Sequence, residues 1–182
     1  VATKKQAKSI VAESAKSLNM PYITERWPGG LLTNFSTIRK SIKKMNSIDA
    51  MKEDGTFDTL SKREKLQIER TREKLELNFG SIENMNRIPE AIFVVDINKE
   101  HIAVAEANKL GMRSYAMVDT NTNPKLVNFP IPANDDSTKS ISKIMQIISE
   151  SVAEGLSERS KTMEEKAKIK QEKAKEILNK DK

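Results

Sequence analysis

A chain of 182 residues is long enough for one core, but with 37% hydrophobic, 4% aromatic and 32% charged residues part of it must stay in solvent. It has no cysteine, which excludes disulfides and cysteine-ligated zinc and points to a reducing compartment. No apolar run approaches the roughly 20 residues of a membrane span, and the net charge of +6 favours a polyanionic partner.

Val1-Ala2-Thr3 reads as the end of a strand, and without an initial Met the chain is expected to lack an N-terminal segment. Thr3-Lys4-Lys5-Gln6 has the form of a capping box. Ala7, Ile10, Val11, Ala15 and Leu18 then make a helical stripe, and Asn19 suits the position just past its end. Pro21-Tyr22-Ile23-Thr24 is a short strand candidate.

The next stretch, Glu25 to Phe35, holds the only Trp and the only Gly pair. Gly29 and Gly30 can take positive φ, and Pro28 fixes its own. Arg26 and Trp27 put a guanidinium and a flat ring beside that turn, groups that suit phosphate and base. Thr33 or Asn34 caps a helix predicted over 35–51. Phe35, Ile38, Ile42 and Met45 fall on one face; Arg39, Lys40, Lys43 and Lys44 fall on the other, with no acid among them. Asp54-Gly55 marks a turn, and Ser61-Lys62-Arg63-Glu64 is a second capping box opening a helix to about Phe79. That helix adds Lys62, Arg63, Lys65, Arg70 and Arg72, with Leu60, Leu66 and Leu77 as an imperfect seam. The two helices predict an antiparallel hairpin inserted into a strand–helix alternation.

The alternation resumes with a strand at 91–96, a helix at 100–110 closed by Gly111, a strand at 114–119 and an edge strand at 129–132 marked by Pro130 and Pro132. A helix over 138–156 follows, with Ile141, Ile144, Met145 and Ile148 inward. From Ser157 the chain is charged, with Glu164–Lys168 and Lys168–Glu172 pairs, and is expected to be a solvated helix or a disordered tail. Repetition of strand and helix predicts a parallel sheet.

Asp96, Asp119 to Asn123 and Asn134-Asp135-Asp136 fall at strand ends, where α/β enzymes bind ligands. A flavodoxin-like nucleotide- or small-molecule-binding enzyme built on Asp96, Asp119 and Asp136 is therefore an alternative. The plainer expectation is that these side chains close loops and cap helices. No glycine-rich phosphate motif supports the enzyme, and the one histidine, His101, has no evident catalytic partner. The cationic helix face favours RNA, held through phosphates, and the scarcity of aromatics favours shape over base stacking.

In order, the strings Thr3-Lys4-Lys5-Gln6-Ala7, Arg26 to Phe35, Asp54-Gly55-Thr56-Phe57, Val94-Val95-Asp96, Glu106 to Gly111, Val118 to Asn121 and Ile131 to Asp136 resemble the bacterial small-subunit ribosomal protein two family over roughly residues 1–156. Pro28 and Ala133 stand where that family often has Leu and Gly. The resemblance implies a parallel-sheet, three-layer α/β body of flavodoxin-like or Rossmann-like form with an inserted antiparallel coiled-coil hairpin. The expected divisions are a body from residues 1–34 and 81–156, a hairpin over 35–80 and a charged tail over 157–182. It implies a structural, non-enzymatic part in the small ribosomal subunit in the cytoplasm. The implied partners are 16S rRNA and other small-subunit proteins, including small-subunit ribosomal protein one, with no membrane and no small-molecule substrate. The expected RNA-binding residues are Lys4, Lys5, Arg26, Trp27, Gly29, Gly30, Asn34, Arg39, Lys40, Lys43, Lys44, Arg63 and Arg70, with no catalytic residue, metal ligand or cofactor.

Overall fold

The structure, a computed structural model, describes residues 1–180, with side chains as far as residue 163. The elements in order are α1 (Lys5–Ser17), α2 (Phe35–Glu53), α3 (Lys62–Phe79), β1 (Ala91–Val95), α4 (His101–Lys109), β2 (Arg113–Val118), β3 (Phe129–Pro132) and α5 (Thr138–Lys180). The strands form a parallel sheet in the order β1-β2-β3, as the strand–helix alternation predicts.

Pleating turns successive residues to opposite faces, and both faces here are apolar. Val95 and its register partner Met117 pack with Ala7 and Val11 of α1 and with Ile141 and Met145 of α5. Val94 and its partner Ala116 pack with Ala103, Val104 and Ala107 of α4 and with Trp27, Leu31, Leu32, Ile38 and Ile42. A parallel strand covered on both sides must be apolar almost throughout, which is why β1 reads as an unbroken run.

Helix ends follow their local chemistry. Asn19 takes φ 52° and Gly111 φ 64°. The N–H groups of Asn19 and Met20 donate to Lys16 O and Ala15 O at 3.1 and 2.9 Å, and those of Gly111 and Met112 to Asn108 O and Ala107 O at 3.1 and 2.9 Å. Both are Schellman closures, which satisfy carbonyls that the helix leaves open. The Ser61 capping box forms: Glu64 N–H donates to Ser61 Oγ at 3.4 Å and Ser61 N–H to Glu64 Oε2 at 3.0 Å.

The free edge of β3 is blunted by its prolines. Ala133 N–H donates to Val118 O on β2, so residues at odd positions turn their donors inward. Pro130 and Pro132 alternate with them, and the donors they lack are the ones that would point outward.

Four expectations change. The Thr3 capping box is absent: α1 begins at Lys5 with no side-chain cap, and Thr3 N–H donates to Glu100 Oε1 at 2.9 Å instead. Residues 21–24 form no strand; Ile23 O accepts Ala2 N–H at 2.9 Å, while Val1 bonds to Phe93 and Val95 of β1. The seam of α3 is not Leu66 and Leu77, which are 48% and 64% exposed. The helix is rotated so that half-buried Ile68, Thr71 and Leu75 face inward, a phase fixed by Arg72 Nε donating to Asp49 Oδ1 of α2 at 2.6 Å. Finally, α5 has no end near Leu156 but runs on to Lys180, so the stretch from Ser157 takes the helical of its two expected forms as one helix with 138–156. No Gly or Pro follows Gly155, and Glu, Lys, Ala and Leu dominate the rest, so nothing ends the helix. The pairs Glu164–Lys168 and Lys168–Glu172 lie outside the described side chains.

Truncation should separate core from surface. Ile141→Ala, at a fully buried position, is expected to lower unfolding free energy by about 2–5 kcal/mol, and Leu77→Ala by under about 0.5 kcal/mol. Urea denaturation midpoints measured side by side check the contrast.

Candidate nucleic-acid interface

The root of α2 is organised by one carboxylate. Glu106 lies on the inward face of α4 among Ala103, Val104 and Ala107 and is 8% exposed. An ionised carboxylate that far from water needs donors. It has five: Gly30 N–H at 2.7 Å and Trp27 Nε1–H at 3.1 Å to Oε1; Leu32 N–H at 2.9 Å, Thr33 N–H at 3.0 Å and Thr33 Oγ1–H at 3.1 Å to Oε2. Burial opposes its charge, but the donors from Thr33, Trp27, Leu32 and Gly30 outweigh it and hold its pKa below the usual glutamate range. Gly30, at φ 85°, turns the chain so that these N–H groups converge.

Trp27 is therefore not an exposed stacker. Its ring is 6% exposed and its only donor is committed to Glu106. The N–H of Gly30 is committed as well, so the glycine turn embraces a carboxylate of the chain itself. Arg26, Gly29 and Asn34 stay on the outside.

A second charged cluster takes Lys4 out of the expected interface. Its Nζ sits 2.9 Å from Asp96 Oδ2, 2.7 Å from Asp135 Oδ1 and 2.8 Å from Asp136 Oδ1. Burial disfavours the ammonium, but the three carboxylates outweigh it and raise its pKa. Burial and the neighbouring carboxylates push Asp135 up in spite of Lys4. Asp119, Asp135 and Asp136 each bring an oxygen within 4.8 Å of the others, and Lys4 already supplies a cation beside two of them. The remaining bonds are loop closures: Asp96 Oδ1 accepts from Asn98 and Lys99 N–H, and Asn134 Oδ1 from Asp136 and Ser137 N–H. His101 is exposed, with Nδ1 3.1 Å from Asn98 O. The strand ends thus carry an internal ion cluster and capped turns, not a set of groups arranged for proton transfer.

Along α2, Ile38, Ile42, Met45 and Ile48 are buried. Lys40, Lys43 and Lys44 are exposed on the other side. Arg39 departs from that row: half-buried, its Nη1 donates to Met85 O at 3.1 Å and Asn86 Oδ1 at 2.9 Å, a strut between helix and body. On α3, Arg63 and Arg70 are exposed, whereas Lys65 pairs with Asp58 and Arg72 with Asp49 and Glu76. Among the described residues, Lys5, Arg26, Lys40, Lys43, Lys44, Arg63 and Arg70 form no ion pair.

A cavity of about 640 Å³ adjoins the turn, lined by Trp27, Leu31 and Leu32 and by Val11, Ile23 and Ile148, and its lining is almost wholly apolar. Sequence reasoning missed Glu106, whose one signal is a lone acid on a small-residue helix face.

Comparison with known proteins gives a consistent result. Residues 1–155 match the family described as Ribosomal protein S2. Small ribosomal subunit protein uS2 of Flavobacterium johnsoniae is 65% identical over 159 residues, which cover 87% of this chain and 63% of that protein. Its counterpart in Christiangramia forsetii is 64% identical over 159 residues, covering 87% and 53%. That of Flavobacterium psychrophilum is 62% identical over 164 residues, covering 90% and 62%. The chain thus spans between 53% and 63% of the length of these curated relatives.

Two variants test the buried charges. Lys4→Met is expected to cost about 3–5 kcal/mol near pH 7, because it strands buried carboxylates. Asp135 titrates above the ordinary value of about 3.9, so its charge works against the fold above that raised pKa. Without Lys4 the stranded carboxylates are relieved by protonation, so acidification from pH 7 should narrow the deficit in urea unfolding. Glu106 is displaced the other way: its contribution is present above about pH 4.3 and is lost only as pH falls through its lowered value. Glu106→Gln should cost about 3 kcal/mol at neutral pH and red-shift the emission of Trp27, the only tryptophan.

Proposed function

The chain belongs to the Ribosomal protein S2 family, and from that premise we propose that it is a structural, non-enzymatic constituent of the small ribosomal subunit, in the cytoplasm, bound to 16S rRNA through backbone and shape contacts. The observation that carries this is the row of exposed cations without ion-pair partners, Lys40, Lys43 and Lys44, along α2. A soluble helix ordinarily intersperses acids on its outer face; this segment has none between Phe35 and Ser47. Each cation laid against a phosphate releases counterions, so binding gains steep salt dependence without reading sequence.

In this reading α2 and α3 form a coiled-coil-like hairpin held out from a flavodoxin-like body of residues 1–34 and 81–156, with 157–182 as a charged extension. Arg26, Gly29 and Asn34 at the hairpin's root, Lys5 on α1, and Arg63 and Arg70 on α3 extend the RNA-facing surface. Arg39 serves it as a strut, and Lys4 and Trp27 serve it from inside. The body offers surface to other small-subunit proteins, including small-subunit ribosomal protein one; that part of the reading rests on the family. The enzyme alternative gains no support at the strand ends, where Lys4 already occupies the carboxylate cluster.

Lys40, Lys43 and Lys44 changed together to Glu should leave circular dichroism and urea unfolding near wild type and abolish co-sedimentation with small subunits in sucrose gradients. The slope of log K for 16S rRNA against log salt should flatten by about 2–3, since about 0.7–0.9 is lost for each phosphate released. Unimpaired co-sedimentation would remove α2 from the interface.

A further inference from the structure

We propose that Glu106 is a positioning residue for RNA binding: through the turn from Trp27 to Thr33, its carboxylate fixes the direction in which α2 leaves the body and so decides which phosphates Lys40, Lys43 and Lys44 reach. The inference rests on the RNA-binding role proposed above and adds a residue that touches no RNA itself.

The link from carboxylate to cations is continuous. Glu106 holds Gly30, Leu32 and Thr33 by their N–H groups at 2.7–3.0 Å. Asn34 N–H donates to Gly30 O at 2.8 Å, and Thr37 N–H to Asn34 O at 3.0 Å, so the held turn runs without a break into the first turn of α2. Past the root, Ile38 and Ile42 seat α2 in the core and Arg39 ties it to Met85 and Asn86. Beyond Ile42 the helix lies against α3, which has no buried residue of its own. Met45 and Ile48 of α2 are buried there and Arg72 of α3 donates to Asp49, so the outer part of α2 takes its direction from its root and from α3 together. Lys44 lies about 14 Å along the helix from Phe35, so a tilt of about 10° displaces it by about 2 Å, enough to break a direct ion contact.

The same geometry explains why the anion is internal. Three convergent N–H groups leading into a helix would serve as a phosphate site if left open. With Glu106 in it, the nest cannot take RNA, and contacts at the root are left to exposed groups such as Arg26 and Asn34 and to the cations of α2.

The test uses the full chain with 16S rRNA, titrated across a range of KCl concentrations, in wild type, Glu106→Gln and Trp27→Phe. The phenylalanine variant removes one donor and leaves the carboxylate held by the backbone. Circular dichroism and unfolding curves fix the folded fraction of each. The expected result is affinity at least about 10-fold weaker for Glu106→Gln after correction for folded fraction, with a salt slope flatter by at least about 0.7, one phosphate contact. Trp27→Phe should fall between it and wild type. A merely structural role lowers the folded fraction and leaves the salt slope unchanged; that outcome, or wild-type affinity in Glu106→Gln, overturns the proposal. Should Glu106→Gln fail to fold, Trp27→Phe decides alone, and an unchanged slope there overturns the proposal. A wild type with no salt-dependent affinity for 16S rRNA overturns the RNA-binding role beneath it, a failure distinct from that of Glu106.

Discussion

A carboxylate in the interior must find either a cation or a ring of donors, and Glu106 has only donors. That one requirement shapes the turn above it. The positive φ of Gly30, the inward Trp27 and the course of the chain into α2 all follow from bringing N–H groups to a common centre. Replacing the glycine shows the tightness of the arrangement: a Cβ at position 30 would sit 3.3 Å from Asn34 Cβ, at a backbone angle that side chains rarely adopt. Charge, backbone and helix direction are thus parts of one device.

The Lys4 cluster obeys the same rule from the opposite side. There the buried carboxylates outnumber the cation, and one lysine holds Asp96, Asp135 and Asp136 together across the ends of β1 and the segment before α5. It ties the start of α1 to the carboxyl end of the sheet. Formal charge therefore says little about partners until internal ions are set aside. Some of the basic residues neutralise the protein itself, as Lys4 and Arg72 do, while Lys40, Lys43 and Lys44 form an unpaired row on α2.

Much of the fold was legible in the sequence. The continuous apolar run marked β1, the strand–helix alternation placed β2, and the prolines marked β3 as the edge. Asn19, Ser61 and Gly111 marked helix ends because their local chemistry hardly depends on the rest of the chain. Failures came where a distant residue decided the outcome. Thr3 lost its capping box to Glu100, 97 positions away. Trp27 looked like a stacker because nothing nearby announces Glu106, 79 positions on. The phase of α3 depended on Arg72 meeting Asp49, which its leucine spacing could not reveal. Lys40, Lys43 and Lys44 were read correctly as an outward row, since helical periodicity alone puts them opposite Ile38 and Ile42; Arg39, beside them, turned inward to a carbonyl.

The prolines of β3 reach beyond the sheet they border. Another molecule laying a strand along that margin would find carbonyls to donate to but, at every second place, nothing donating in return. A half-satisfied ladder is a poor nucleus for aggregation, so copies of the chain have one less way to stick to each other.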